Sequence, residues 1–416
     1  MNIRLPDIRL FTRFITSRCA ELRVVTVSLL MVTALSIVGC QPDSNRSADN
    51  KRAELTPKHT SNITAQTGTA MERLIIGTYT GTEATASQGI YTATFDSATK
   101  AFSALTLLAE THNPSWLHFK TSTQTLYAVD EQEAGAVTVF SLKNGVAEQI
   151  QRVSSFGAAP CYLSVSPDQK YLAVANYMGG NIAVFAIDPQ TGKLSTQAQV
   201  KAHTGSGPNP DRQEAAHAHW VQWNNTQSVL YVVDLGIDEV KAYGVDAQTG
   251  QLGEGFTAYQ AEPGAGPRHM VFHPEMSVVY VVNELTNRLT ALRVQPDGRF
   301  VAEQHISTLP EGFSEHSQAA HIAIADDGAH VYVSNRGHNS IAVFAIADNG
   351  QLSVQQWQST LGNWPRHFTL LDKAKTLLVA NEQEGLIVAF DITENGLLEP
   401  SNQALPVSLP TFVDVF

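Results

Sequence analysis

Six stretches of the chain share one register, and equivalent positions in such a repeat become equivalent places in space. In each, a Pro or Ala stands thirteen residues before a member of an apolar, β-rich run, and three residues further on the run closes with Asn or Asp. The triplets are Pro114, Tyr127 and Asp130; Pro160, Ala173 and Asn176; Ala218, Tyr231 and Asp234; Pro267, Tyr280 and Asn283; Ala319, Tyr332 and Asn335; Pro365, Leu378 and Asn381. The closing residues, at 130, 176, 234, 283, 335 and 381, are 46, 58, 49, 52 and 46 apart. A period of about 50 residues suits a propeller blade of four strands. The unit is plainest at 267–294, where RHMVFHP, SVVYVVNE and NRLTALRV follow one another. Each is short and rich in β-branched or aromatic residues, with turn formers such as Pro274 and Asn287 between them.

A seventh unit accounts for the ends. RLIIGTYTG at 73–81 places Thr78 52 residues before Asp130, GIYTATFD follows at 89–96, and the C-terminal run ALPVSLPTFVDVF can supply strand pairing to it. Joining both ends in one blade closes the ring and removes a free edge. The expectation is an all-β, seven-bladed β-propeller over 71–416, closed by pairing of its N- and C-terminal strands.

Composition agrees with one large core. The chain has 416 residues, 43% hydrophobic and 16% charged, a length that would allow two or three domains were it not for the repeat. Its net charge of -12 and the lack of a Lys/Arg-rich run after the first 25 residues argue against nucleic acid as a partner.

The first 40 residues read as a targeting element. Arg4, Arg9, Arg13, Arg18 and Arg23 precede a 15-residue apolar run at 24–38, too short for an ordinary membrane span and suited to a secretory signal. It ends in Ile37, Val38, Gly39 and Cys40, which resembles the bacterial lipobox, where the cysteine is lipidated and becomes the first mature residue. Residues 1–39 would then be the lipoprotein signal peptide, with Cys40 tying the protein to a membrane. Gln41 in place of Asp points to the outer membrane, facing the periplasm. An uncleaved anchor and a misassigned start codon, which would leave a cytoplasmic protein, are the alternatives. Residues 41–70 are rich in Ser, Thr, Asn, Gln and Lys and read as a flexible tether. With Cys19 removed and Cys40 acylated, Cys161 alone remains in the folded part, where it reads as a buried small hydrophobe.

Several longer motifs resemble one family along the whole chain after residue 70. IGTYTG at 76–81, ANYMGGNIAVF at 175–185, HTGSGPNPDRQEAAHAH at 203–219, GPRHMVFHP at 266–274, VVNEL at 281–285 and SNRGHNSIAVF at 334–344 occur in order. They are similar to motifs of the lactonase family of seven-bladed propellers, which includes bacterial 6-phosphogluconolactonase and fungal carboxy-cis,cis-muconate cyclase. The resemblance implies chemistry on a small-molecule lactone, with no bound metal and no organic cofactor. In the cyclase members a His, a Glu and two Arg at matching motifs are the proposed working residues.

The register points to a site independently. The position after the repeat Pro or Ala is Ser115, Cys161, His219, Arg268, Ala320 and Arg366, and the position after the Asn or Asp is Glu131, Tyr177, Leu235, Glu284, Arg336 and Glu382. Superposed blades turn these into two rings at the central channel. Three consecutive units contribute His219, Arg268, Glu284 and Arg336 to one sector, and these four are the expected catalytic set. Lactone hydrolysis needs a base for water, a cationic or hydrogen-bonding cradle for the carbonyl oxygen as it becomes anionic, and a proton for the leaving ring oxygen. His219 or Glu284 serves as base, the two roles being interchangeable at this stage, while Arg268 and Arg336 hold an oxyanion or a substrate carboxylate or phosphate.

Four further residues are expected to bind substrate: His217, Arg212, Asn176 and Arg366. Arg212 lies in the long loop before the histidines, with Asp211 and Glu214, which read equally well as members of internal salt bridges. His217 and His219, two apart, would share a face of a strand, but no third metal ligand of similar spacing accompanies them. His269, His321 and His367 share one register position with Tyr162 and Trp220 and read as a ring hydrogen-bonded between strands. The Asn/Asp ring reads as structural, with Asn176 set apart because Tyr177 and two glycines follow it.

The leading expectation is therefore an exported, lipid-anchored lactonase opening a sugar lactone. 6-Phosphogluconolactone is a cytoplasmic metabolite, so a non-phosphorylated aldonolactone suits an envelope protein better. The alternatives are a cyclase acting on an unsaturated dicarboxylate and a non-catalytic envelope propeller.

Overall fold

The computed structural model describes residues 71–416 apart from 83–85 and 144; the expected signal segment 1–39, Cys40 and the tether 40–70 lie outside the described residues. Seven four-stranded antiparallel sheets follow one another around the chain. Blade 1 holds Met71–Thr78 and Pro410–Val415, and blades 2 to 7 have their innermost strands at Leu117–Lys120, Pro160–Val165, Ala218–Trp223, Pro267–Phe272, Gln318–Ile324 and Pro365–Leu371. A single 3-10 turn, Asp372–Ala374, is the one helical element among the described residues. The ring closes as expected: Leu74 pairs with Val415 and Thr78 with Pro410. Thr78 and Pro410 thus occupy the Asn/Asp and Pro positions of the repeat, so the seventh register is split between the two ends of the blade.

Each blade packs its apolar faces against the next. One interblade layer brings Tyr280, Val282 and Ala291 against Val331, Val333 and Phe344, all nearly or fully excluded from solvent. Burying a side chain of that size contributes ~1.5–3 kcal/mol. Polar latches then set the spacing. Where the repeat has tyrosine, its hydroxyl donates to the carbonyl of a turn glycine in the following blade: Tyr127 to Gly192 at 2.7 Å, Tyr231 to Gly298 at 2.9 Å, Tyr280 to Gly350 at 2.9 Å and Tyr332 to Gly396 at 2.8 Å. A second latch uses glutamine amides. Gln304 donates to Leu352 O at 2.8 Å and accepts from Leu352 N at 2.7 Å, and Gln356 treats Leu398 likewise at 2.9 and 2.8 Å.

The channel begins with a defect in the ladder. Pro160 pairs with Asn176 and Tyr162 with Ala175, which leaves Cys161 out of register. The same happens at His219, Arg268 and Arg366, and at Thr411 in blade 1. A bulge of this kind re-aims one side chain without disturbing the alternation beyond it. The next residue of each blade points into the channel and fills it. Trp116 stacks on Tyr162 at 4.0 Å between ring centroids and meets His367 and Phe412 edge-on at 5.0 and 4.9 Å. His321 lies 4.2 Å from His367. The expected histidine ring is thus mainly a plug of packed rings, with one direct hydrogen bond between His269 Nδ1 and His321 Nδ1 at 3.0 Å. Burial first, and Arg268 next, lower the pKa of His321 to about 3; burial likewise depresses His269 and His367. These three rings are held neutral.

If the tyrosine latch spaces the blades, Tyr280→Phe strands the buried Gly350 carbonyl and lowers stability by about 1–2 kcal/mol, read as a shifted urea midpoint with an unchanged slope. An unshifted midpoint would mean that packing alone sets the spacing.

Candidate active site

Blades 4 to 6 converge on one carboxylate. Glu284 follows the closing Asn283 of blade 5 and is 1% exposed. Its Oε1 lies 2.6 Å from Arg212 Nη2, and its Oε2 lies 2.8 Å from Arg336 Nη2 and 3.0 Å from Arg268 Nε. The last approach is close enough for an ion pair but off-line for a hydrogen bond, since Arg268 Nε has no hydrogen-bond partner among the described residues. Arg268 is instead steered by Nη1, which donates to Ala320 O at 2.8 Å. Arg336 lies over the Trp364 ring at 5.5 Å. Burial works against ionisation of Glu284, but Arg336, Arg268 and Arg212 outweigh it and hold its carboxyl well below the usual range. Burial and the Arg336 charge lower the pKa of Arg268, yet a guanidinium remains charged at neutral pH. Three cations facing one anion leave the sector with two positive charges in excess.

His219 sits on the bulge of blade 4, 6% exposed. Its Nδ1 is 3.7 Å from the Cys161 thiol, and its ring meets Tyr177 and His269 edge-on at 5.4 and 5.2 Å. Burial, then the Arg268 charge, hold its pKa well below the ordinary histidine value, so the ring is neutral. Cys161 is buried, and burial pushes its thiol up, as expected for an inert small hydrophobe. His217 stacks on the other face of this corner, 4.5 Å from Tyr177. Its Nδ1 is 3.0 Å from Tyr177 O and its Nε2 3.1 Å from Glu214 Oε1.

The loop at 203–217 is fastened rather than free. Asp234, the blade 4 member of the Asn/Asp ring, lies 2.6 Å from His203 Nδ1 and accepts the His217 amide at 2.7 Å. Gln213 donates to Asp238 Oδ1 at 2.7 Å and to Leu235 O at 2.9 Å. Gly236 has to be glycine because a Cβ there would collide with Ala215 O. Held this way, the loop delivers Arg212, whose Nη2 also donates to Tyr177 Oη at 3.2 Å.

Of the eight expected residues, His219, Arg268, Glu284, Arg336, Arg212 and His217 thus meet in one sector. Two do not. Asn176 is fully buried and its amide donates to Ser155 O at 2.9 Å, so it repeats the structural task of Asn335 on Thr308 O and Asn381 on Thr360 O. Its Oδ1 has no hydrogen-bond partner among the described residues, and the glycines that follow it pack closely on Ala158 and Ala216. Arg366 lies across the channel mouth, 3.5 Å from Glu131 Oε2 and 3.9 Å from Glu382 Oε2. Tyr79 completes that second group, its hydroxyl donating to Glu131 Oε1 at 3.0 Å and its ring lying 5.0 Å from the Arg366 guanidinium. Sequence reasoning passed over Tyr79, although the signal was there: it follows Thr78 as Glu284 follows Asn283.

The fold has relatives among known proteins. The model of the lactonase family of seven-bladed β-propellers aligns with residues 73–415. The 6-phosphogluconolactonase of Bacillus subtilis is 35% identical over 343 residues, covering 80% of this chain and 95% of its own length. Among solved structures, the periplasmic gluconolactonase of Pseudomonas aeruginosa superposes with a TM-score of 0.77 at 29% identity, covering 83% of this chain and 99% of the other. A protein from Lactobacillus plantarum does so with a TM-score of 0.77 at 31% identity, covering 83% and 100%. The chain belongs to the lactonase family of seven-bladed β-propellers.

Proposed function

We propose that the protein opens a sugar lactone to its aldonic acid by attack of water on the carbonyl at the Glu284 sector. The observation that carries this reading is one buried carboxylate shared by three guanidiniums, with the buried His219 imidazole in the same sector. Of the two bases left open by the sequence, His219 suits the task better. Both carboxylate oxygens of Glu284 are engaged by guanidiniums, so its role is to position the arginines. His219 takes a proton as water attacks, Arg268 and Arg336 stabilise the oxyanion, and the resulting imidazolium returns the proton to the ring oxygen as its bond to the carbonyl carbon breaks.

A pH-stat titration of the protein against plain and phosphorylated sugar lactones tests the reaction, acid release above the spontaneous rate being expected on at least one. Silence on every lactone would leave a binding propeller. His219→Gln and Arg268→Ala are each expected to lower kcat/KM by about 10²–10³. Because the His219 pKa is depressed, the base stays deprotonated as pH falls through the ordinary histidine range, about 6.5. The profile of kcat/KM is therefore flat there and drops only at more acid pH. A drop centred on the ordinary value would assign the base to another group.

Glu284→Gln leaves three guanidiniums facing one another without an anion. Turnover is expected to fall with that of Arg268→Ala, and stability to fall by about 3–5 kcal/mol in urea unfolding. Unchanged turnover and stability would mean that the arginines are organised some other way.

Export and lipid anchoring form part of the same proposal, supported by the basic stretch, the apolar run and Cys40 and by the periplasmic relative. Cys40→Ser is expected to move the protein from the membrane to the soluble fraction; retention in the membrane fraction would remove the lipid anchor.

A further inference from the structure

Charge is divided unevenly around the channel mouth. Opposite the arginine-rich sector, blades 7, 1 and 2 set Glu131 and Glu382 against the single cation Arg366. These ion contacts are longer than hydrogen bonds, and Glu382 Oε2 is buried with no hydrogen-bond partner among the described residues. Glu131 is better satisfied, by Tyr79 and by the Ser115 hydroxyl. An open depression of about 640 Å³, lined by Asn113, Glu131, Gln132, Glu133 and Ala134, reaches this group through Glu131. It is wide open to solvent, and the carboxylates on its wall are Glu131 and Glu133, while Glu382 joins the group through Arg366. Burial raises the pKa of Glu382, with Arg366 and then Arg336 opposing, as expected of an anion short of donors. The chemistry that would satisfy it is a neutral donor: carboxylates accept short, charge-assisted hydrogen bonds from hydroxyls, whereas a phosphate would meet like charge.

We propose that Glu131 and Glu382, with Arg366 and Tyr79 holding them in place, form a hydroxyl-recognition subsite that selects an uncharged, polyhydroxylated lactone over a phosphorylated one. This rests on the lactonase reading given above. The two sectors then orient the substrate between them, carbonyl towards Arg268 and Arg336 and hydroxylated carbons towards the glutamates. Recognition of this kind discriminates strongly, because a ligand lacking the hydroxyls leaves buried acceptors unmatched.

The test compares D-glucono-δ-lactone, its 6-phosphate and δ-valerolactone, which has no hydroxyls, on the full chain and on Glu131→Gln and Glu382→Gln. Wild type is expected to prefer gluconolactone over both others by at least about tenfold in kcat/KM, a modest share of what unmatched polar groups impose. Each variant should reduce the gluconolactone to valerolactone ratio by about that factor and narrow the margin over the phosphate. An unchanged ratio in both variants, or a preference for the phosphorylated lactone in wild type, overturns the subsite. A binding arm separates this outcome from failure of the hydrolase reading. Calorimetric titration with gluconate and with pentanoate, both carboxylates, reads the hydroxyls without turnover. Tighter binding of gluconate, lost in the variants, upholds the subsite even if no lactone is opened; equal binding of the two in wild type overturns it.

Discussion

At the start of the inner strands one residue is left out of the ladder, and what happens at the channel mouth depends on that omission. Regular pairing would alternate every side chain between the two faces of a blade, both of which are packed against neighbours. The bulge frees a single position in each of blades 1, 3, 4, 5 and 7 from that rule. Polar or charged side chains such as His219, Arg268 and Arg366 can then stand beside a core that excludes them, while the following residue resumes its place in the channel plug. Five bulges of one kind therefore give a ring of positions whose chemistry varies blade by blade at little cost to the fold.

Electrostatics explains why the variation is not free. Three guanidiniums brought within reach of one another repel, and Arg268 at 2% exposure has little water to screen it. Glu284 offsets part of that repulsion by lying at 2.6 to 3.0 Å from all three. The same field reaches the neighbouring imidazoles. His219 and the plug histidines are kept neutral by burial together with the arginine charge, so the cations that would steady an anion also keep the adjacent base unprotonated. The Asn/Asp ring serves both purposes at second hand: Asn335 and Asn381 hold loops to their strands, and Asp234 ties down the loop that brings Arg212.

The architecture was legible because a repeat reports the same physics several times. The triplets gave the blades, and the lone Thr78 with a C-terminal apolar run gave the shared blade, since a ring with free edges would aggregate. The arginine sector was legible for the same reason, as side chains that break a pattern stand out. Arg212 was visible only as a charge in a long loop; its reach to Glu284 depends on hydrogen bonds donated by Gln213 and accepted by Asp234 that no local pattern encodes. Asn176 stood out because Tyr177, Gly179 and Gly180 look like a binding loop, and the close packing of those glycines against Ala158 and Ala216 is something no local pattern shows. The bulges were invisible, since one extra residue in a strand alters no composition and no period.

Closure within blade 1 also fixes where the first described residue lies relative to the channel mouth. Met71–Thr78 runs towards the channel mouth, ending beside Pro410 where the polar rings begin. Residue 71 therefore lies seven residues back along an extended strand, about 23 Å away at the usual rise of about 3.3 Å per residue. The 71 end of that strand thus lies on the far side of the blade from the arginines, and small molecules arriving at them meet the 78 end.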